Sequence, residues 1–265
     1  MTEAVEIIAR YREMLSEVLR DAFEDVECLT FTPERGVLAG VYFTIVHSGA
    51  ECAGLLAQPT ITAGGVLRGI LESFADLCAL VQSPDYVRRM LATFYDQRRA
   101  LFADMLRDPT NPFHADLARR CDPVAELADV TRLLDIQRTA GFPPYTNFER
   151  LTCGDLRHEY RSLYWQLCLE SHNSISAIEA RHVEQTDEGV SLSLFNGNRP
   201  GELLKYYDSL TSIMIEASLK VHSLVSSQQV ARWEAWQMEL RRWRGEFLPA
   251  LEAAQQIEES LATSR

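Results

Sequence analysis

The sequence predicts an all-α protein, a multi-helix bundle of about seven to eight helices. Two observations predict this class: apolar residues recur at the three- and four-residue spacing of amphipathic helices, and proline follows a capping residue at several helix starts. With 265 residues, of which 46% are hydrophobic, the chain can bury a substantial core. We therefore expect one helical domain over residues 1–265.

The helices of the first half are recognised by an apolar stripe or by their first residues. Residues 2–28 place Ile8, Leu15 and Val26 on one face, which predicts an amphipathic N-terminal helix. Thr32 before Pro33 marks the start of the next helix. The same kinds of signal predict helices over residues 33–57, 61–82, 84–107 and 123–141.

The second half contains the longest predicted helix of the core and one candidate for β-structure. Thr152 and Asp155 have the spacing of a capping box, which predicts a helix over residues 155–183. A short β-hairpin is predicted near residues 189–196, where glycine and asparagine flank alternating apolar residues.

The predicted core spans about residues 33–226 and closes with a helix over residues 202–226. We expect the two terminal helices, residues 2–28 and 228–261, to pack on this core or on a partner.

Composition excludes several classes of protein. A formal net charge of −12 and an isoelectric point near 5.0 argue against non-specific binding to nucleic acid. No stretch of about 18 uncharged apolar residues is present, and the charged N-terminal segment MTEAVEIIARYREM lacks the apolar run of a secretory signal. We therefore expect a cytoplasmic protein without a membrane partner.

No cofactor or metal is expected either. The six cysteines show neither a C-x-x-C pair nor zinc-type spacing, which is typical of thiols in a reducing compartment. Glycine-rich phosphate loops and dinucleotide fingerprints are absent from the sequence.

Charged residues interrupt two of the most apolar predicted helices. His47 and Glu51 are one helical turn apart, and Arg68, Glu72 and Asp76 form a stripe at four-residue spacing. A buried charge is costly unless it is paired, so these stripes should meet each other or meet water.

A further stripe lies in the predicted 155–183 helix. Its members at four-residue spacing are Tyr160, Tyr164, Cys168 and His172. This places an imidazole at the end of an aromatic and apolar strip, where burial shifts the pKa of a histidine.

Three interpretations of these polar groups are open. In the first, one cavity among three helices holds the groups of a small hydrolytic site, namely His47, Glu51, Arg68, Glu72, Asp76, Tyr160 and His172. In the second, Arg68 and Glu72 form an internal salt bridge between helices, and His172 is a structural histidine. The third is a carboxylate-bridged metal site, although the Glu-x-x-His pair usual in such sites is absent.

Three segments carry a resemblance to known proteins. HSGAECAGLL, LRGILESFADLCAL and YRSLYWQLCLESHNSISAIEAR give an apolar helix with His and Glu, an R-x-x-x-E helix and a Y…H helix. Over about residues 37–225 this pattern resembles an uncharacterised family of bacterial all-helical proteins, which is similar in layout to the HEPN superfamily. The resemblance implies a HEPN-like core and a homodimer, and it implies metal-independent RNA cleavage in a toxin–antitoxin or phage-defence system.

The resemblance also implies a polar core of Arg68, Glu72, Tyr160 and His172. In that core His172 would be the general acid/base, and Arg68 would bind the phosphate or stabilise its developing charge. Glu72 would orient Arg68, and Tyr160 would supply a further hydrogen bond.

The catalytic signature of HEPN ribonucleases is an Arg followed by four to six residues and then a His. In this sequence the one match is Arg107 with His114, and Pro109 and Pro112 interrupt it. The chain therefore departs from the ribonuclease pattern, and a non-catalytic or differently catalytic branch stays open as an alternative.

The last predicted helix combines tryptophan with arginine. Trp233, Trp236 and Trp243 lie among arginines within residues 228–247, a mixture that can stack on bases and contact RNA phosphates. The same tryptophans can pack on the core or on a partner while the arginines pair with neighbouring glutamates. The acidic net charge favours packing.

The sequence thus supports two main hypotheses. The first is a HEPN-like ribonuclease of bacterial defence or toxin–antitoxin type that acts on RNA as a homodimer. The second is a non-enzymatic helical interaction or scaffold module, whose buried salt bridges hold the bundle together and whose 228–247 helix binds a protein partner. A metal-dependent hydrolase is the third hypothesis.

Overall fold

The computed structural model describes residues 3–58, 62–171, 174–186, 189–193 and 200–263, and helices dominate it. The first four helices are α1 (Glu3–Cys28), α2 (Gly36–Leu56), α3 (Ala63–Gln82) and α4 (Tyr86–Arg107). They agree with the predicted helices, apart from a 3-10 turn over Pro33–Arg35 where α2 was expected to begin. No helix in these parts of the chain is long and apolar enough to cross a membrane.

Two short helices accompany the predicted helix of the middle region. In chain order they are α5 (Pro112–Ala118), α6 (Pro123–Thr139) and α7 (Asn147–Cys153). Asn111 caps α5 through its side chain, so Pro112 occupies the first helical position and does not end the structure. A capping box of Thr146 and Glu149, with both hydrogen bonds present, begins α7.

The prediction of one long helix over residues 155–183 is wrong. Asp155 has a φ of 61°, in the left-handed region, so the chain turns there and does not enter a helix. Ser174 then accepts a hydrogen bond from the Ala177 amide and starts a separate helix. The segment contains α8 (Arg157–Glu159), a π-helical turn (Tyr160–Tyr164), α9 (Trp165–Ser171) and α10 (Ile175–His182).

A β-hairpin follows α10. β1 (Val183–Thr186) pairs antiparallel with β2 (Gly189–Leu192), so the predicted hairpin is present but begins before residue 189. Its predicted end, residues 194–196, lies outside the described residues. The chain closes with α11 (Pro200–Leu224) and α12 (Val230–Thr263).

The main hydrophobic core lies where α1, α2, α3 and α11 pack together, with α12 against α1 and α11. Leu15 and Val18 of α1 and Trp233 of α12 are fully buried in it. Both terminal helices thus pack against the helices of the predicted 33–226 core and contribute buried apolar residues to it.

The helices α4, α5 and α6 form an extension, which we call the helical arm (residues 86–139). α4 and α6 pack on each other around a small second core of Phe102, Met105 and Val130. The first turns of α4 join the arm to the main core through Tyr86 and Met90.

Candidate functional site

A network of buried charges joins α3 to α7. Glu72 and Asp76 lie one turn apart on α3, and Arg150 reaches both from α7, whose capping box fixes the start of that helix. The Arg150 guanidinium donates from Nε to Asp76 Oδ1 at 2.9 Å and from Nη1 to Glu72 Oε2 at 2.8 Å, and its Nη2 also contacts Asp76 Oδ2. Burial alone would lower the pKa of Arg150, but the hydrogen bonds and charge of Asp76 outweigh it and raise that pKa.

Three tyrosine hydroxyls donate to the same carboxylates. Tyr86 and Tyr145, whose rings stack with centroids 5.5 Å apart, donate to Asp76 Oδ1 at 2.9 and 3.3 Å. Tyr164 donates to Glu72 Oε1 at 2.9 Å. Burial, helped by the charge of Asp76, raises the pKa of Tyr145 to about 12, so this phenol stays a hydrogen-bond donor. Each carboxylate oxygen of Glu72 and Asp76 thus accepts at least one hydrogen bond from the protein itself.

The outer end of the network is formed by Arg68 and two tyrosines of the π-helical turn. Arg68 Nε donates to Glu72 Oε1 at 3.1 Å, and its guanidinium lies over the Tyr164 ring at 5.4 Å. Tyr160 stacks on Tyr164 with ring centroids 5.3 Å apart. The Arg68 side chain is 22% exposed, so this end of the network reaches solvent while Asp76 does not.

The structure places some of the predicted site residues together. Those in or beside the network are Arg68, Glu72, Asp76 and Tyr160. His47 and Glu51 are not among them, and the prediction that they line the same cavity is wrong. Their side chains are 73% and 61% exposed and face each other at 3.4 Å, because that face of α2 is turned to solvent.

Two further expectations concern histidines. His172, the predicted general acid/base, lies outside the described residues. In the Arg107 and His114 match, Arg107 pairs with Asp104 at 2.9 Å, and His114 Nδ1 lies 3.1 Å from the backbone oxygen of Asp108. Both residues are thus engaged in contacts close to them in the chain.

The tryptophans of α12 pack on α1. Trp233 Nε1 donates to Asp25 at 2.8 Å, and Trp236 Nε1 donates to Asp21 at 2.9 Å. Trp243 packs edge-on against a tyrosine of α1 with centroids 6.2 Å apart. All three tryptophans thus pack within the protein, as the packing interpretation predicts.

A second buried polar cluster, which the sequence did not reveal, surrounds His222 of α11. His222 is 1% exposed and its Nε2 lies 2.9 Å from Asp25 Oδ2, yet neither ring nitrogen makes a hydrogen bond of acceptable geometry. Asp25 already accepts from Trp233 and contacts Arg232. Burial lowers the pKa of His222, and the opposing charge of Asp25 does not compensate, so we take this imidazole as neutral near pH 7.

Three residues that complete the first network, namely Tyr86, Tyr145 and Arg150, were not predicted from the sequence. Tyr164 was placed in the stripe of the predicted 155–183 helix but was not assigned to the site. One signal was available for Arg150. Thr146 and Glu149 have capping-box spacing, which predicts a helix whose first turn carries Arg150. Tyr86 and Tyr145 had no comparable signal, because their partner Asp76 lies on another element.

The fold and this network define an all-α protein whose polar centre is neutralised internally, by two guanidiniums facing two carboxylates. Within the described ranges, no three His, Cys, Asp or Glu side chains are grouped so that they could hold a metal ion. Comparisons with protein-family models, curated proteins and solved structures found no match for this chain.

Proposed function

We propose that this protein is a non-enzymatic helical interaction module, and that the network of Arg150, Glu72 and Asp76 is a structural lock within it. The observation that carries this proposal is that every oxygen of both carboxylates already accepts a hydrogen bond from the same chain. A general base must be free to reach a proton on its substrate, and these carboxylates are occupied.

Exposed apolar side chains on the helical arm supply the kind of surface that such a module needs. Leu91, Phe94 and Leu101 lie within one stripe of α4 and are 38%, 48% and 41% exposed. Apolar groups that share one face of a helix are typical of surfaces that contact other proteins.

Stability and activity measured on the same variants test the proposal. Glu72→Ala leaves Arg150 without one partner in a largely buried site, so we expect the free energy of unfolding to fall by about 3–5 kcal/mol. Urea unfolding measures this loss. We also expect wild-type protein to leave single-stranded and structured RNA intact.

One set of results would contradict the proposal of an interaction module. In it, the wild-type protein cleaves RNA, Arg68→Ala does not, and the unfolding free energy of that variant stays near the wild-type value.

That pattern would support a second candidate, metal-independent RNA cleavage by a HEPN-like homodimer in bacterial defence. One observation favours it: the partly exposed guanidinium of Arg68, next to the aromatic pair of Tyr160 and Tyr164, is the kind of group that binds a phosphate. His172 is the general acid/base in this candidate. Cleavage by the wild-type protein and its absence in His172→Ala would be the corresponding result.

A further inference from the structure

A cleft of about 430 Å³ opens between α3, the segment after α7 and α11, on a different face of α3 from the Glu72 network. Its floor is apolar and consists of Leu71, Phe74, Cys78, Leu156, Leu163 and Ile213. Pockets that bind small molecules have volumes of about 300–1,000 Å³ and mostly apolar linings with a few polar groups. This cleft therefore has the size of a ligand site, and polar and charged residues complete its lining.

The segment after α7 forms one wall of the cleft and packs closely on α3. Gly154 packs directly on the backbone of Ala75 in α3, where an added Cβ would lie 2.6 Å from the Ala75 oxygen. Asp155 follows in the left-handed conformation, and its side chain lines the cleft. The π-helical turn after it directs Tyr164 to Glu72 while Leu163 lines the cleft. One short segment thus separates the structural network from the cleft.

The charges around the floor are predominantly negative. Asp155, Glu159, Glu216 and Lys220 line the cleft, and the charges of all four act on the Cys78 thiol at its floor. Burial, together with these carboxylates, raises the pKa of Cys78 to about 12, so the floor itself is neutral at pH 7. The group therefore carries three negative charges against one positive charge.

These carboxylates have no basic partner in the part of the chain that the structure describes. No Lys, Arg or His there lies within 4.0 Å of the Asp155, Glu159 or Glu216 carboxylate, although Glu216 accepts a hydrogen bond from the Gln237 amide. At the other end of the cleft, Asp208 and Arg244 form a two-pronged pair with both distances at 2.8 Å, which neutralises that end. The excess of two negative charges is thus concentrated above the apolar floor.

We propose that this cleft binds a small organic cation, a primary amine carried on an apolar or aromatic body. The body would lie on the floor formed by residues such as Phe74 and Ile213, and the ammonium would face the carboxylates of Asp155 and Glu159. The proposal goes beyond the interaction module and is independent of the role of Glu72.

Tryptamine is a suitable probe, and indole-3-propionate is its matched control because it carries the same indole and two-carbon spacer with a carboxylate. Isothermal titration calorimetry of the full chain should give saturable one-site binding of tryptamine, weakened by added NaCl because the attraction is electrostatic. Indole-3-propionate should bind at least about tenfold more weakly, since it meets like charge.

Two variants in the cleft and one control outside it test where tryptamine binds. Glu159→Gln should weaken tryptamine binding about fivefold. Asp155→Asn provides a second test that keeps the turn, because asparagine tolerates a positive φ. Glu234→Gln, on an exposed part of α12 outside the cleft, is the control and should bind like the wild type. Absence of saturable tryptamine binding, equal binding of indole-3-propionate, or unchanged binding in both cleft variants would overturn the proposal.

Discussion

Gly154 lies directly against Ala75, so that a Cβ added at Gly154 would stand 2.6 Å from the Ala75 carbonyl oxygen and 2.9 Å from its Cα. This contact packs the C-terminal end of α7 against α3. Backbone atoms cannot move aside as the tip of a flexible side chain can, so we predict that Gly154→Ala lowers the free energy of unfolding by about 1–3 kcal/mol. Urea unfolding provides the measurement.

Gly69 supplies the control in α3. An added Cβ there meets nothing within 4 Å, so Gly69→Ala should stabilise the protein by up to about 1 kcal/mol through its better helix propensity. Equal stability of the two variants would be incompatible with the tight contact.

The second prediction concerns the pairing of Arg150 with Asp76. Arg150→Ala leaves a carboxylate that is only 3% exposed without its guanidinium, and we expect a loss of about 3–5 kcal/mol in the free energy of unfolding. Arg132 is the matched control, because its pair with Asp129 is exposed and should contribute less than about 1 kcal/mol. If both substitutions cost the same small amount, the network is not a lock.

The third prediction ranks two tyrosines that share one acceptor. Tyr86 is buried and donates to Asp76 at 2.9 Å, whereas Tyr145 is less buried and donates at 3.3 Å. A hydrogen bond to a charged group is worth about 1.5–3 kcal/mol, so Tyr86→Phe should destabilise within that range and Tyr145→Phe by less. Thermal unfolding of the two variants side by side gives the order, and a reversed order would contradict the geometry.

The fourth prediction is a dependence of stability on pH. Burial lowers the pKa of His222 in the folded protein, so the unfolded chain binds a proton that the folded chain does not. Stability from this residue is complete above the ordinary histidine pKa of about 6.5 and is lost as the pH falls below it, by up to about 1.4 kcal/mol per pH unit. Unfolding free energies measured from pH 7.5 to 5 should show this slope.

His222→Gln removes the titrating group, so the slope below pH 6.5 should be smaller in that variant. An unchanged slope would mean that folding does not lower the pKa of His222, whose Nε2 lies 2.9 Å from Asp25 Oδ2.

The elements that the sequence predicted well are those whose signal is local. Apolar stripes and the capping residues before proline predicted the bounds of α1 to α4 to within a few residues. The predicted 155–183 helix failed because the turn at Asp155 accompanies the contact of Gly154 with Ala75, which lies far away in the chain. A local capping pattern contains no information about such a contact. Thr152 and Asp155 have the spacing of a capping box, but the capping box in the structure is formed by Thr146 and Glu149.

The residues of the network likewise divide into those that a local pattern predicted and those that depend on contacts distant in sequence. Charges within the apolar sequence of α3 pointed correctly to Glu72 and Asp76, because buried charges need partners. The basic partner of Asp76, Arg150, is 74 residues away in sequence, and no spacing rule reaches that far. His47 and Glu51 carried a similar local pattern on α2 and proved to be a surface pair.

The helical arm has a small core of its own at Phe102, Met105 and Val130, and in the described part of the chain its contacts with the main core come from the first turns of α4. Its far end can therefore open as a separate cooperative unit while the bundle stays folded, and its amide hydrogens should exchange with solvent before those of α3 and α11. A molecule that binds this end would therefore have to change the conformation of only a small part of the protein.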